Sequence, residues 1–266
     1  MVLGVRNPEH FGRLERLDIR NHQRVDTFTD RRVGGQLMMG GVLFKRLEVA
    51  LGYRQDHVRI EGGSVPNRQT DALILAGPSL QIHRDTLDNQ EFARTGLSLR
   101  FQVDKRSRTF GSDINYSRWQ GSFARYWSPT DKTTVEVAGA AGYSRGPMPF
   151  YERFYSGGYN SSEVGPSNLL GYSRDELPAH QTASLTAVYR RQIFSRPISF
   201  ARRGFLFGIY NTAAISDQAA APYNFHYFNG VGLGLAFDTL LGPARVAIAW
   251  GEGGRFNFHL SLGPAF

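Results

Sequence analysis

The 266-residue chain has no cysteine. That excludes a disulfide framework, a thiol nucleophile and any cysteine-ligated metal. It also lacks long apolar runs. Mean hydropathy is −0.35, and no stretch approaches the ~18 consecutive apolar residues of a membrane-crossing helix. Blocks of like charge are missing as well. The net charge of +8 comes from arginines dispersed along the whole chain, which argues against a nucleic-acid arm, and no nucleic acid is expected as a partner. Met1-Val2-Leu3-Gly4-Val5-Arg6 shows neither the basic nor the apolar region of a secretory signal. Either the protein is cytosolic or its signal lies upstream of Met1, and the remaining pattern favours the second. Aromatic residues, by contrast, are plentiful: 19 Phe, 12 Tyr and 3 Trp are too much apolar material for a disordered chain.

The pattern that repeats is alternation. Leu97, Leu99, Phe101 and Val103 alternate with Ser98, Arg100, Gln102 and Asp104. Val231, Leu233, Leu235 and Phe237 alternate with Gly232, Gly234 and Ala236, and Val246, Ile248 and Trp250 with Ala247 and Ala249. Ala183, Leu185, Ala187 and Tyr189 alternate with Thr182, Ser184, Thr186 and the exception Val188. Period two is the mark of a strand with one apolar face. Turn signals such as Gly62-Gly63, Ser128-Pro129-Thr130-Asp131 and Leu241-Gly242-Pro243 separate the runs. With no amphipathic helix in view, the expected fold is all-β, about 12 strands, with no substantial helix.

The residues opposite the apolar ones decide the class. They are Ser, Thr, Gln, Asn, Arg, Asp and Gly, which suit a wet lumen better than the core of a sandwich. Tyr116, Trp119, Tyr126, Trp127 and Tyr143 fall near expected strand ends, where an interfacial girdle would place them. The expected architecture is an antiparallel transmembrane β-barrel, since closure satisfies backbone groups that lipid cannot. A soluble β-sandwich is the competing reading.

Longer motifs resemble a known family. The last residues, Phe256-Asn257-Phe258-His259-Leu260-Ser261-Leu262-Gly263-Pro264-Ala265-Phe266, resemble the closing strand of bacterial outer-membrane barrels. The resemblance implies an assembly signal at Phe258, Leu260, Leu262 and Phe266, read by the barrel assembly machinery. His83-Arg84-Asp85-Thr86-Leu87-Asp88-Asn89, followed by Arg94-Thr95-Gly96, resembles the D-T-x-D-N … P-T-x-G hairpin of the BamA-like (bacterial surface antigen) superfamily. Ala93 stands where that family often has Pro. Pro149-Phe150-Tyr151-Glu152-Arg153-Phe154, then Gly157-Gly158, then Leu170-Gly171-Tyr172, is similar to its L-P-x-x-E-R-F-x-x-G-G … R-G-Y segment. That likeness implies an extracellular loop folded back into the lumen, with Gly157, Gly158, Leu170, Gly171 and Tyr172 as its motif. Thr239-Leu240-Leu241-Gly242-Pro243 is similar to a hairpin of the same family near the C-terminus. The resemblance spans residues 73–266.

One departure refines it. The family's loop carries Arg before Gly-Tyr, and that Arg docks on an acid of the lumen wall; here Leu170 replaces it. With Asp175-Glu176-Leu177 and the tail Ala249-Trp250-Gly251-Glu252-Gly253-Gly254-Arg255, the chain looks more like the barrels of patatin-like outer-membrane phospholipases (type Vd secretion). That implies a 16-stranded barrel behind a lipase domain and a linking POTRA domain. Residues 1–266 would then be a single barrel domain, the C-terminal portion of a larger protein. Asp238 is the expected lumen-wall acid, paired with one of the lumen arginines, such as Arg190 or Arg191; a hydrated turn acid is the alternative.

Candidate chemistry is thin. Gly142-Tyr143-Ser144-Arg145-Gly146 matches G-x-S-x-G, but Pro147-Met148-Pro149 follows where a helix would have to start. The seven histidines are scattered, no group has metal-ligand spacing, and no catalytic residue, cofactor or metal is assigned. Arg100, Asp104, Asp113 and Arg118 are expected on the lumen wall, where each needs a partner or water. Expected partners are outer-membrane lipid, the assembly machinery and, through open strand edges, a second copy of the chain. The expected function is to anchor or translocate a patatin-like lipase. A BamA-like assembly or secretion barrel and a stand-alone porin are the alternatives. Deleting residues 160–168 is expected to raise single-channel conductance in a planar bilayer; an unchanged conductance would mean that this loop does not obstruct the pore.

Overall fold

The computed structural model describes residues 2–4, 14–20, 23–44, 46–61, 72–158, 169–173, 175–195 and 201–263. The alternating segments form fifteen strands among these residues. They are β1 (Val2–Gly4), β2 (Leu14–Arg20), β3 (Gln23–Leu43), β4 (Leu47–Glu61), β5 (Leu73–Asp85), β6 (Gly96–Arg106), β7 (Tyr116–Thr130), β8 (Thr133–Arg145), β9 (Phe154–Ser156), β10 (Leu177–Ala179), β11 (Gln181–Phe194), β12 (Ala201–Ser216), β13 (His226–Thr239), β14 (Gly242–Gly251) and β15 (Arg255–Leu262). The described helix is limited to three single turns of three residues each.

Thirteen strands make one antiparallel sheet, and the path across it runs through twelve of them in chain order. β1 and β2 lie on one edge of β3, against different stretches of it. β9 and β10 form a small ladder of their own within the long β8–β11 connection, an element that alternation did not reveal. From β5 to β15 the wall strands other than the last have at least 10 residues, enough for a tilted strand to cross a hydrocarbon core of about 30 Å.

Strand direction sorts the connections into two ends. At the turn end, β7–β8 and β13–β14 are joined by two residues each. At the loop end lie the β8–β11 connection, the β12–β13 connection and the turn of residues 107–115. Residues 86–95, between β5 and β6, are the exception: a ten-residue connection at the turn end.

The faces separate as period two requires. Leu99, Phe101, Phe123, Leu185, Tyr189, Leu206, Val231, Leu233, Phe258 and Leu260 are all exposed on the outward face. So broad an exposed apolar band has no place in water; its solvent is hydrocarbon. Of the five girdle aromatics, Trp119, Trp127 and Tyr143 face outward. Tyr116 and Tyr126 share the inward phase of buried Ala124, and Tyr116 is itself buried. These two correct the girdle assignment. Composition near a strand end does not tell which way an odd or even residue points.

The sheet is strongly curled. Arg245 of β14 donates to the carbonyl of Glu91, 3.0 Å away, and Arg190 of β11 donates to that of Ala93. The β5–β6 connection therefore lies against the inner face of β11–β14. No ladder joins β15 to β1, β2 or β3 among the described residues. Leu233→Arg is expected to cost about 2–4 kcal/mol, because it places a cation in hydrocarbon at mid-strand. Urea unfolding in phospholipid vesicles measures this; unchanged stability would show that this face is not in lipid.

Candidate functional site: the filled lumen

The inner wall of β12–β14 is unusual for a lumen. Phe205, Phe207, Ile209, Ala236, Ala247 and Ala249 face inward and are buried. Two segments cover them, one from each end.

The first is residues 86–95. Its polar motif residues are spent on folding the turn. Asp85 accepts from the Leu87 N–H at 2.8 Å, Asp88 from those of Arg94 and Thr95 at 2.8 and 3.1 Å, and Asn89 from those of Glu91 and Phe92 at 2.9 and 2.8 Å. Desolvation works against the Asp88 carboxylate, but the Arg94 and Thr95 N–H groups outweigh it and hold its pKa below the usual value. The turn so built aims Phe92 into the lumen, where it stacks on Phe205 with ring centroids 4.9 Å apart. The guanidiniums of Arg245, Arg190 and Arg203 stand over the Phe92 ring at 5.4, 5.7 and 5.9 Å.

The second is the β8–β11 connection, which reaches both sides of the wall. Met148 and Tyr151 bury Val58, Ile60, Leu73 and Leu75 of β4 and β5. Glu152 pairs with Arg32 of β3 at 2.6 Å. Burial alone would raise the Glu152 pKa, yet the guanidiniums of Arg32, Arg118 and Arg54 hold it at about 2. Its carboxylate, and the charge of this tie, therefore persist through neutral and mildly acidic pH. Further along, the backbone of Gly158 bonds to Tyr172 and Leu169, both at 3.0 Å. Leu170 is wholly buried and joins the cluster that contains Phe92. Its N–H donates to Asn211 Oδ1 at 3.3 Å. A Cβ on Gly230 would lie 2.4 Å from the Leu170 carbonyl, so the wall is glycine where the loop rests on it. Gly171 has φ +81, and a Cβ there would meet the Gly251 backbone nitrogen at 2.2 Å.

An ion pair completes the docking. Glu176 accepts from Arg255 of β15 at 2.5 Å and from the Ser173 N–H at 2.8 Å. The Arg255 guanidinium lies 4.4 Å from the centre of the Tyr172 ring. Here the loop brings the acid and the wall the base. Neither partner stood out in the sequence as a pair, because 79 residues separate them.

Other wall charges are partnered too. Asp238 accepts from a lumen arginine, Arg203, through Nε at 3.0 Å and Nη2 at 2.7 Å, and not from either of the two examples, Arg190 and Arg191. The register selects the partner: Arg203 is directly opposite Asp238, whereas Arg191 is opposite outward-facing Leu206. Buried Asp104 accepts from Ser79 at 2.6 Å, Gln102 at 2.7 Å and Arg106 at 3.4 Å. Arg118 stands over Phe154 at 4.6 Å, and Arg100 faces inward but is exposed. Asp113 is not on the wall; it lies in the β6–β7 turn and accepts from the Ile74 N–H at 2.6 Å. Ser144 of the G-x-S-x-G match is wholly buried. Its hydroxyl donates to the His180 carbonyl at 2.9 Å, with the His180 ring Nδ1 3.1 Å away. Desolvation lowers the His180 pKa, and Arg153 adds to this. The group ties β8 to β11 and offers no approach to a substrate. Of the C-terminal residues, Phe258, Leu260 and Leu262 face outward and are exposed; Phe266 and residues 159–168 lie outside the described residues.

The site is thus a curled antiparallel wall of long strands with its β8–β11 connection turned inward. The profile of the Omp85 superfamily domain matches residues 12–266. The chain belongs to the Omp85 superfamily. Solved structures of the same fold include BamA from Haemophilus ducreyi lacking POTRA domains 1–3, with TM-score 0.69, 13% identity, and coverage of 87% of this chain and 54% of that one. CdiB from Escherichia coli follows with TM-score 0.61, 14% identity, and coverage of 89% of this chain and 45% of that one. This Omp85-superfamily chain thus spans about half the length of the structures it matches. No curated protein matches it.

Glu176→Arg should loosen the β8–β11 connection, seen as faster proteolysis there, and adding Arg255→Glu should restore protection. Failure of the second change to restore it would mean that the ion pair does not hold the loop.

Proposed function

We propose that this chain forms the wall of an outer-membrane barrel that moves or places polypeptides, and that it is held shut at rest by its two inward segments. One observation carries the reading: Phe92 from the turn end and Leu170 from the loop end belong to one continuous buried apolar cluster. A porin for small solutes needs a wet, polar path, and this side of the lumen is dry and filled. The outward apolar face supports a place in lipid, and the exposed Phe258, Leu260 and Leu262 support recognition of β15 by the barrel assembly machinery. No catalytic step is assigned to the chain.

A second, narrower reading is that the barrel anchors a patatin-like lipase passenger. Leu170 favours it, since a hydrophobic residue takes the place of the loop arginine. In planar bilayers the intact protein should show little resting conductance, and Phe92→Ala with Leu170→Ala should raise it several-fold. A wide, steady pore in the unaltered protein would overturn the plugged state. An intact mass near 29.8 kDa for the native polypeptide would remove the lipase reading, and a larger mass with lipase activity would support it.

A further inference from the structure

The outward face at the loop end carries a row of polar groups that the filled lumen does not use. Lys105 of β6, Ser117 of β7 and Arg145 of β8 are direct neighbours across the sheet. They share the outward phase of Trp119 and Tyr143. Neighbouring strands stand about 4.8 Å apart, so the two cations flank a hydroxyl on strands about 10 Å from one another. Lys105 and Arg145 are exposed. Among the described residues no carboxylate pairs with either.

The rows below it, toward mid-strand, suit an amphiphile. Val103, Trp119 and Tyr143 come next, with the Trp119 and Tyr143 rings 5.3 Å apart. The β12–β13 connection folds outward to extend this row: Tyr223 meets Tyr143 edge-on at 6.2 Å and donates to its hydroxyl at 3.1 Å. The following row holds Phe101, Gly121 and Ala141. Below the aromatic shelf the two small residues and the Phe101 ring, whose edge would lie 3.5 Å from a Cβ on Gly121, make a low apolar surface. Cation, aromatic ring and apolar surface thus follow one another in the order headgroup, interface and hydrocarbon.

We propose that Lys105 and Arg145 bind the phosphate of a phosphorylated lipid in the outer leaflet, with its glycerol or sugar against Trp119 and Tyr143 and an acyl chain over Gly121 and Ala141. The site rests on the reading that the chain spans the outer membrane with its loop end outside. A soluble phosphate would gain nothing from the aromatic shelf or the apolar surface below it, which is why a lipid is the occupant. The order of the rows also fixes how deep the barrel sits, since the cations must lie at headgroup level.

The test uses the intact protein in detergent, with bis-phosphorylated lipid A as probe and binding read by native mass spectrometry. Lys105→Gln with Arg145→Gln should weaken binding about tenfold or more, since each cation near an anionic headgroup contributes on the order of 1 kcal/mol. Arg84→Gln with Arg125→Gln removes two exposed outward cations nearer the turn end and should leave binding within about twofold of the unaltered protein. Equal losses in the two variants would overturn the site, as would displacement of lipid A by inorganic phosphate at equal concentration. Heat-modifiable gel mobility reports folding in each case. Folded variants without selective loss defeat the lipid site alone, whereas a protein that never inserts into vesicles defeats the membrane reading with it.

Discussion

The inner wall of β12–β14 is apolar, and so is its outer face. That is the constraint on which the rest of the molecule depends. Lipid can take the outer face, but a lumen open to water could not take Phe205, Phe207 and Ile209 without losing the free energy of burying them, about 1.5–3 kcal/mol for each large side chain. Something must lie on them. The two inward segments do so from opposite ends, and their meeting through Phe92 and Leu170 makes the filling continuous.

Covering a wall with irregular chain creates a second demand, because loops bring unpaired backbone groups with them. The arginines meet much of it. Arg190 and Arg245 reach carbonyls of the β5–β6 connection while their guanidiniums pack over Phe92. Arg203 does the same over Phe205 while neutralising Asp238. An always-charged planar cation can stack and donate at once, which an ammonium does poorly. The dispersed basic residues of the chain thus find part of their use inside it, and the outward Lys105 and Arg145 face a different environment.

Both ties of the long connection are ionic at one point and apolar at another. Glu152 meets Arg32 beside the Met148–Tyr151 cluster, and Glu176 meets Arg255 beside Tyr172. That combination fits the proposed resting state, in which a few contacts hold the connection against the wall and their separation frees it. The fold it shares with BamA and CdiB at 13–14% identity sets the wall; these particular contacts set how its inner face is covered.

The wall can be read from the amino-acid order alone. Side chains alternate across a strand, so Leu97 to Val103 or Val231 to Phe237 declare one apolar face whatever surrounds them. The amino-acid order also pointed to an inward β8–β11 loop, where Gly157, Gly158 and Gly171 permit tight backbone turns, but it gave residues 86–95 only as a hairpin, by family likeness, without its inward direction. What it left undecided were matters of direction and partnership. Tyr116 and Tyr126 look like interfacial rings until the register turns them inward. Asp238 finds Arg203 because the two face each other across β12 and β13, and Glu176 finds Arg255 because the sheet curls. Period and turn chemistry are local, and a few neighbouring residues suffice to fix them. Which charges meet across a lumen depends on strand register and curvature, and these are settled only when the whole sheet has formed.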